Sequence, residues 1–335
     1  MTLTILSMRN LNFAENSRFL LVRPDKIGDL VLALPALAAL RQRYPQSFIG
    51  FLCSSYAASV LENNPDVNAI FLSDDPNLAQ KIKQEKFDAA IHFYVENKTV
   101  YLTWKAAIPV RVGPFSKIAS LLLTHRVRQN RSKVEKHEAV YNWDLVRSCG
   151  AQKEPVAPKI YLTEQEIAKA KELRQTLNLG DHPIFIHPGS AGSALRWPVH
   201  HFIELGRQLA MLGQTVVFTA GKEESAILDK VRAIRNPNVR IIPAGSLTLR
   251  EFISVISVGK LFISNSTGPL HMASALSVPT LAFYPNLPIQ TSAKRWSPFG
   301  RPQVNRVLSP ELIAMSMESI SVERAGLCVK GMLGI

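Results

Sequence analysis

Short apolar runs alternate with helix-patterned segments along most of this chain, and that alternation constrains the fold more than any other feature. Runs at 18–23, 47–53, 69–72, 88–92, 184–187, 214–219, 239–242, 261–264 and 279–284 have the length and composition of buried strands. Helical patterns separate most of them. Such an alternation implies parallel sheets with helices on both faces, an α/β fold. A length of 335 residues suggests two domains, and a hydrophobic content of 47% is ample for two cores. The Pro-containing, low-apolar stretch 151–158 marks the expected boundary. The division expected is therefore 1–155 and 156–335.

Three strand-to-helix junctions carry polar, ligand-friendly loops. The apolar run 260–263 leads into Ser264-Asn265-Ser266-Thr267-Gly268-Pro269-Leu270-His271. Thr267 or Ser266 can cap the following helix, and Pro269 suits its first turn. Backbone N–H groups there, with the helix dipole, can hold a phosphate or diphosphate, and His271 is one turn away. An ordinary capped helix start explains the same residues. A second strand, Pro183-Ile184-Phe185-Ile186, leads into His187-Pro188-Gly189-Ser190 and on to Leu195-Arg196-Trp197-Pro198, with a helix expected from 199 to 212. Gly189, Ser190, Gly192 and Ser193 permit close backbone approach to a ligand. The spacing matches neither a P-loop nor a dinucleotide fingerprint. The third junction runs from the strand 18–23 through Pro24-Asp25-Lys26-Ile27-Gly28-Asp29 to a helix expected over 30–43. Asp29 falls near that helix's N-cap, so a structural cap is the alternative to any chemical role.

Charge and cysteine usage narrow the class. Cys53, Cys149 and Cys328 are odd in number and lack Cys-x-x-Cys spacing, which argues against a disulfide framework or a zinc site. The first seventeen residues hold Arg9, Asn10, Asn12, Glu15 and Asn16 without an apolar block, so no secretory signal is expected. The net charge is +13, concentrated between Lys105 and Lys136, where eight cations face Glu135 alone. Such a patch attracts nucleic acid, anionic lipid or an acidic sugar, or is simply a solvated face. No nucleic-acid-binding module accompanies it, so nucleic acid is not an expected partner. Beside it lies Ile118-Ala119-Ser120-Leu121-Leu122-Leu123, readable as core or as interfacial helix.

Taken together, the junctions resemble one family: the heptosyltransferases of lipopolysaccharide core synthesis, glycosyltransferase family nine. The resemblance is carried by Val22–Asp29 with Leu34-Pro35-Ala36-Leu37 and Leu40-Arg41, by Ile186–Ser190 with Arg196-Trp197-Pro198, and by Ser264–His271. Weaker matches are Lys136-His137-Glu138 with Tyr141-Asn142, and Arg295–Gly300. They occur in family order from residue 18 to about 300. The resemblance implies a GT-B architecture, two Rossmann-like domains facing across a cleft. It implies an N-terminal acceptor domain and a C-terminal domain for a nucleotide-sugar donor. The segment 310–322 is a candidate for a helix that returns to the first domain.

An inverting transfer needs a base for the acceptor hydroxyl and stabilisation of the departing diphosphate. By the resemblance, Asp29 is the candidate base, with Asp25 its local rival. Ser190, Arg196, Thr267, Gly268 and His271 are candidates for the donor diphosphate, and Glu223 or Glu224 for the ribose hydroxyls. Lys117, Arg126, Arg128 and Arg131 are candidates for an acidic, lipid-linked saccharide acceptor. The expected donor is ADP-heptose or a similar nucleotide sugar. No metal and no cofactor are expected, the helix dipole and basic side chains standing in for Mg²⁺. The implied location is the cytoplasm, with peripheral contact at the inner membrane's cytoplasmic face. Two positions depart from the family: Leu195 stands where Lys is common, and Ser266 where Asp is common. They leave two other functions open, a transferase for another nucleotide sugar and a non-catalytic nucleotide-sugar-binding protein.

Overall fold

The computed structural model describes residues 11–190, 195–313 and 315–335. Gly192 and Ser193 of the second loop, and Arg9 and Asn10 near the start, lie outside that range. The chain divides into two compact units. One holds the residues up to Arg131 together with Glu138–Pro158; the other holds Ser132–His137 and Lys159–Ile335.

The first unit contains strands β1 (Arg18–Val22), β2 (Phe48–Cys53), β3 (Ala69–Leu72), β4 (Ala89–His92), β5 (Val110–Pro114) and β6 (His125–Val127). Its helices are α1 (Ile27–Val31), α2 (Leu34–Arg43), α3 (Leu78–Gln84), α4 (Asn97–Lys105) and α5 (Glu138–Arg147). The sheet order is β3-β2-β1-β4-β5-β6, all parallel. Phe19 to Val22 on the central strand are fully buried, as a strand covered on both faces requires. Leu20, Val22, Leu52, Phe71, Ile82 and Phe87 form a core on one side of it.

The second unit contains α6 (Glu164–Thr176), β7 (Ile184–His187), α7 (Val199–Met211), β8 (Val216–Phe218), α8 (Ala226–Arg232), β9 (Val239–Ile241) and α9 (Leu249–Ile256). It continues with β10 (Leu261–Asn265), α10 (Gly268–Ala275), β11 (Thr280–Phe283), α11 (Ala293–Trp296), β12 (Asn305–Leu308) and α12 (Val322–Leu333). Its sheet order is β12-β11-β10-β7-β8-β9, again all parallel. Counted from its own first strand, this is the 3-2-1-4-5-6 order of the first unit, seen from the other edge. Both units are thus doubly wound, Rossmann-like sheets. In each, the order reverses beside the unit's first strand, and crevices at such points bind ligands at the carboxyl ends of the strands.

The structure corrects several expectations. Strands β5, β6 and β12 were not anticipated. The helix expected over 30–43 is two helices, α1 and α2, broken at Leu32-Ala33. Pro35 explains the break, because its ring clashes with the carbonyl four residues back and it has no N–H to donate. Among the described residues of 310–321 there is no α-helix, only a 3-10 turn at Met317–Ser319. The helix that follows, α12, packs Val322, Ala325 and Val329 into the second unit's own core with Phe202 and Leu205 of α7.

Candidate active site

In the first unit the loop after β1 is organised by one buried arginine. Arg23 follows β1 directly, and its guanidinium is 2% exposed. It donates from Nε to Asp25 Oδ1 at 2.7 Å, from Nη2 to Asp29 Oδ1, and from Nη1 to Glu138 Oε1 at 3.1 Å. Nη1 also reaches the Phe93 carbonyl at 3.3 Å and Asn142 Oδ1 at 3.4 Å. Burial opposes its charge, but the carboxylates of Asp29, Asp25 and Glu138 outweigh that cost and raise its pKa. One arginine therefore serves three carboxylates. Burial, reinforced by the charge of Asp29 and opposed by Arg23, pushes Asp25 up to about 6.

Asp29 is not the helix cap. The N-cap of α1 is Lys26, and no side chain caps that end. Asp29 sits in the first turn with its carboxylate turned to Arg23, so the structural-cap alternative falls. Glu138, on α5, is fully buried and also takes Arg131 Nη1 at 2.7 Å. Arg131, expected to meet an acceptor, is largely committed: it also donates to Gln129 Oε1 and lies over the Tyr141 ring. Lys117 donates to the Tyr94 hydroxyl at 2.6 Å, just beyond β4 and β5. Arg126 and Arg128 are exposed, at and just after β6, and Arg126 faces the Phe115 ring. The hydrogen bonds bring Asp25, Asp29, Glu138 and Arg131 together around Arg23, whereas Lys117 is tied to Tyr94 and Arg126 to Phe115.

The second unit's site is built from the ends of β7, β8 and β10. Asn265 stitches two of them: its Oδ1 accepts from the Trp197 N–H at 2.8 Å and its Nδ2 donates to the Pro188 carbonyl at 2.9 Å. Trp197 is fully buried, stacked on Phe283 at 4.0 Å, with Nε1 donating to the Ile320 carbonyl at 2.7 Å. That anchor fixes where Arg196 starts. Thr267 caps α10 by accepting from the Leu270 N–H at 3.3 Å, as expected, and Ser264 supports it, 3.0 Å away and bonded to the His187 carbonyl. Pro269 has no N–H, so the Gly268 N–H is the donor presented at the helix start.

Glu224 and Glu223 separate clearly. Glu224 Oε1 accepts from the Ser190 N–H at 3.0 Å and lies 3.7 Å from Arg196 Nη1. A Cβ at Gly189 would sit 1.8 Å from Glu224 Oε2, so any other residue there would make the Glu224 carboxylate move. Glu223 is exposed. His187 is bonded through Nδ1 to Thr219 Oγ1 at 2.9 Å, and burial, against the opposing pull of Glu224, lowers it to about 4. His271 is buried, and burial, with the charge of His137, lowers it to about 3. Both rings are therefore neutral at pH 7. His137, within the second unit, pairs through Nε2 with the Ser297 carbonyl at 2.8 Å and packs on the Phe299 ring. The sequence motifs contained His137, Glu138 and Asn142 but no role had been assigned to them. Asn265 was also missed; a buried polar residue ending an otherwise apolar strand is the signal that marks it.

Comparison with known proteins identifies the family. The model of the family described as glycosyltransferase family 9 (heptosyltransferase) matches residues 76–319. A Haemophilus influenzae protein named "Putative glycosyltransferase" is 33% identical over 328 residues, covering 92% of this chain and 94% of that protein. Lipopolysaccharide heptosyltransferase 2 of Escherichia coli is 26% identical, covering 80% of this chain and 82% of its own length. Among solved structures, a family 9 glycosyl transferase from Veillonella parvula superposes with a TM-score of 0.85 at 22% identity, over 97% of this chain and 99% of that one. At that identity the superposition speaks to the fold alone.

Proposed function

The chain belongs to glycosyltransferase family 9, the heptosyltransferase family, and from that premise we propose that it moves a heptose from ADP-heptose to an acidic sugar of the lipopolysaccharide inner core, with inversion. The observation that carries this reading is the opposite chemistry of the two units' switch-point sites. After β1, the first strand of its unit, there are carboxylates and one arginine; at the ends of β7 and β10, the first and fourth strands of theirs, there are neutral histidines and a capped helix start.

In this scheme the acceptor oxygen attacks the anomeric carbon as the bond from that carbon to the β-phosphate oxygen breaks. The hydroxyl proton passes to Asp29. Its Oδ1 takes the Arg23 contact, leaving Oδ2 for the hydroxyl. Arg23 keeps the carboxylate oriented. Negative charge grows on the leaving ADP, where the Gly268 N–H, the α10 dipole and Arg196 receive it. His271, buried and neutral, offers a ring N–H without adding charge. Ser190 lines the same loop. Glu224, already placed by the Ser190 N–H, accepts from the ribose hydroxyls in preference to Glu223. Lys117, Arg126 and Arg128 meet the acceptor's acidic groups, and Arg131 holds Glu138. The first unit is then the acceptor domain and the second the donor domain. Transfer proceeds without a metal, in the cytoplasm, on a lipid-linked acceptor at the inner membrane.

The exposed Leu195 favours a second reading, a related transferase for a different nucleotide sugar, because the loop's one described cation near Glu224 is Arg196. A thermal-shift screen of ADP-, GDP- and UDP-sugars, followed by transfer assays with and without a chelator, tests both. A ligand that binds only the folded state raises the melting temperature. ADP-heptose should shift the transition and turn over equally with chelator present. A shift by UDP- or GDP-sugars alone would select the second reading. Binding without turnover on any acceptor would leave a nucleotide-sugar-binding protein.

A further inference from the structure

We propose that the face formed by α4 and the 3-10 turn Ile118–Leu122 docks the first unit on the surface of a bilayer rich in anionic phospholipid. In the first unit the exposed large hydrophobic side chains are Tyr56, Tyr101, Trp104, Phe115, Ile118, Leu121 and Val156, and five of these seven fall between residues 101 and 121. Ile118 is 88% exposed and Leu121 63%.

The backbone geometry explains why they cannot be core. On α4, Val100 and Thr103 point inward while Asn97, Lys98, Tyr101, Trp104 and Lys105 form the outward stripe. Tyr101 and Trp104 lie side by side, their rings 5.6 Å apart. In a 3-10 turn, residues three apart eclipse one another, so Ile118 and Leu121 share one outer edge. Ala119 and Leu122 face the other way and pack with Val95, Val100 and Leu123, which joins the turn to α4. The apolar stretch is therefore split between a small anchor and an outward ridge. Contiguous exposed apolar groups of this kind mark interaction surfaces, and amphipathic aromatic rings suit the boundary between headgroups and acyl chains.

Charge selects the occupant. Between residues 97 and 134 the sequence has eight cations and no carboxylate. Lys98, Lys105, Lys117, Arg126 and Arg128 are exposed among the apolar groups. A protein partner would need a matching acidic and apolar patch, whereas an anionic bilayer offers both chemistries over any area. Polybasic segments and apolar side chains act together in such binding. Among the described residues no helix is long and apolar enough to cross a membrane, so the contact is one of the surface.

This inference rests on the acceptor being lipid-linked, but its test does not use the reaction. The full chain is sedimented with phosphatidylglycerol-containing vesicles and with pure phosphatidylcholine vesicles. Binding to the first and not the second is expected, weakening as salt rises. Ile118→Ser with Leu121→Ser, and separately Trp104→Ser, should each cut vesicle binding about tenfold. Both should leave ADP affinity and transfer to a lipid-free acceptor unchanged. Brominated lipid should quench tryptophan fluorescence in the parent and less in Trp104→Phe. Parent-like sedimentation of the double variant, equal binding to both vesicle types, or a salt-stable dimer that the double variant dissolves would each overturn the assignment. Loss of transfer with vesicle binding intact would instead count against the enzymatic reading.

Discussion

The two switch-point sites share a topology and almost nothing else. In the first unit a single buried arginine is surrounded by Asp25, Asp29 and Glu138. In the second unit the work is done by backbone N–H groups, an asparagine amide, a threonine cap and two neutral imidazoles. The difference teaches that the strand order places a crevice but does not decide what enters it. A carboxylate cluster accepts protons; a capped helix start with Arg196 nearby welcomes an anion, even with Glu224 beside it. That contrast is the support for the proposed division of the transfer reaction between the two.

The contrast breaks most sharply at Asp29. Asp29→Asn should lower kcat by about 10²–10⁴-fold, the usual range for a positioned base, with ADP binding unchanged by calorimetry. Asp25→Asn should cost less, and the pH profile should show which carboxylate titrates. Activity that depends on ionised Asp25 falls as pH drops below about 6, and that limb disappears in Asp25→Asn. A greater loss from Asp25→Asn than from Asp29→Asn would move the base to Asp25.

Arginine substitutions compare the two sites in stability. Arg23→Met leaves Glu138 buried without one of its cations and should cost about 3–5 kcal/mol in urea unfolding. Arg196→Met, at a side chain that is 48% exposed, should stay within about 0.5 kcal/mol. Equal effects would mean that the second site also depends on buried charge.

Smaller again is the helix start. Thr267→Ala removes the cap of α10, at about 1 kcal/mol, and should weaken ADP roughly fivefold to tenfold without raising the acceptor KM. If acceptor KM rises instead, the donor is not held at α10.

The gentlest test is acid. His187 and His271 titrate lower folded than unfolded, so the unfolded chain binds more protons and stability falls as pH drops below about 6.5. His92 of the first unit, lowered to about 3 by burial and by Arg111, adds the same slope there. Asp25 has the opposite sign: its raised carboxyl stabilises below about 4, and that contribution is lost as pH rises through about 6. Hydrogen exchange between pH 6.5 and 5 should therefore show protection falling faster in the second unit. Parallel losses would overturn this difference between the units.

Much of this was legible from sequence, for reasons that also explain the gaps. The central strands are continuous apolar runs, and turn chemistry at Thr267-Gly268-Pro269 marked a helix start that the structure keeps. The strands missed were β5, β6 and β12, which lie toward sheet edges and carry Arg111, Arg126 and Arg306. Partial exposure lets polar residues in and erases the pattern. Asp29 was legible as a residue of interest, yet its partner was not. The Arg23–Glu138 pair joins positions 115 apart, and no local rule sees it. Likewise Leu195 was visible as a departure, but the Glu224 contact of Arg196 was not.

The strand orders have a consequence for colloidal behaviour. Each sheet ends in two strands with unpaired backbone groups, and such edges are templates for intermolecular pairing. Three of the four are guarded within the strand itself: β6 by Arg126, β9 by Arg240 and β12 by Arg306. The fourth, β3, reads Ala-Ile-Phe-Leu and carries no charge. Its protection comes from the next turn, Asp74 and Asp75, whose pKa values are lowered chiefly by hydrogen bonds from Ser55 and Lys81 respectively. These gatekeepers hold their charge into mild acid, so the chain's most vulnerable edge keeps its repulsion while the buried histidines are already loosening the rest.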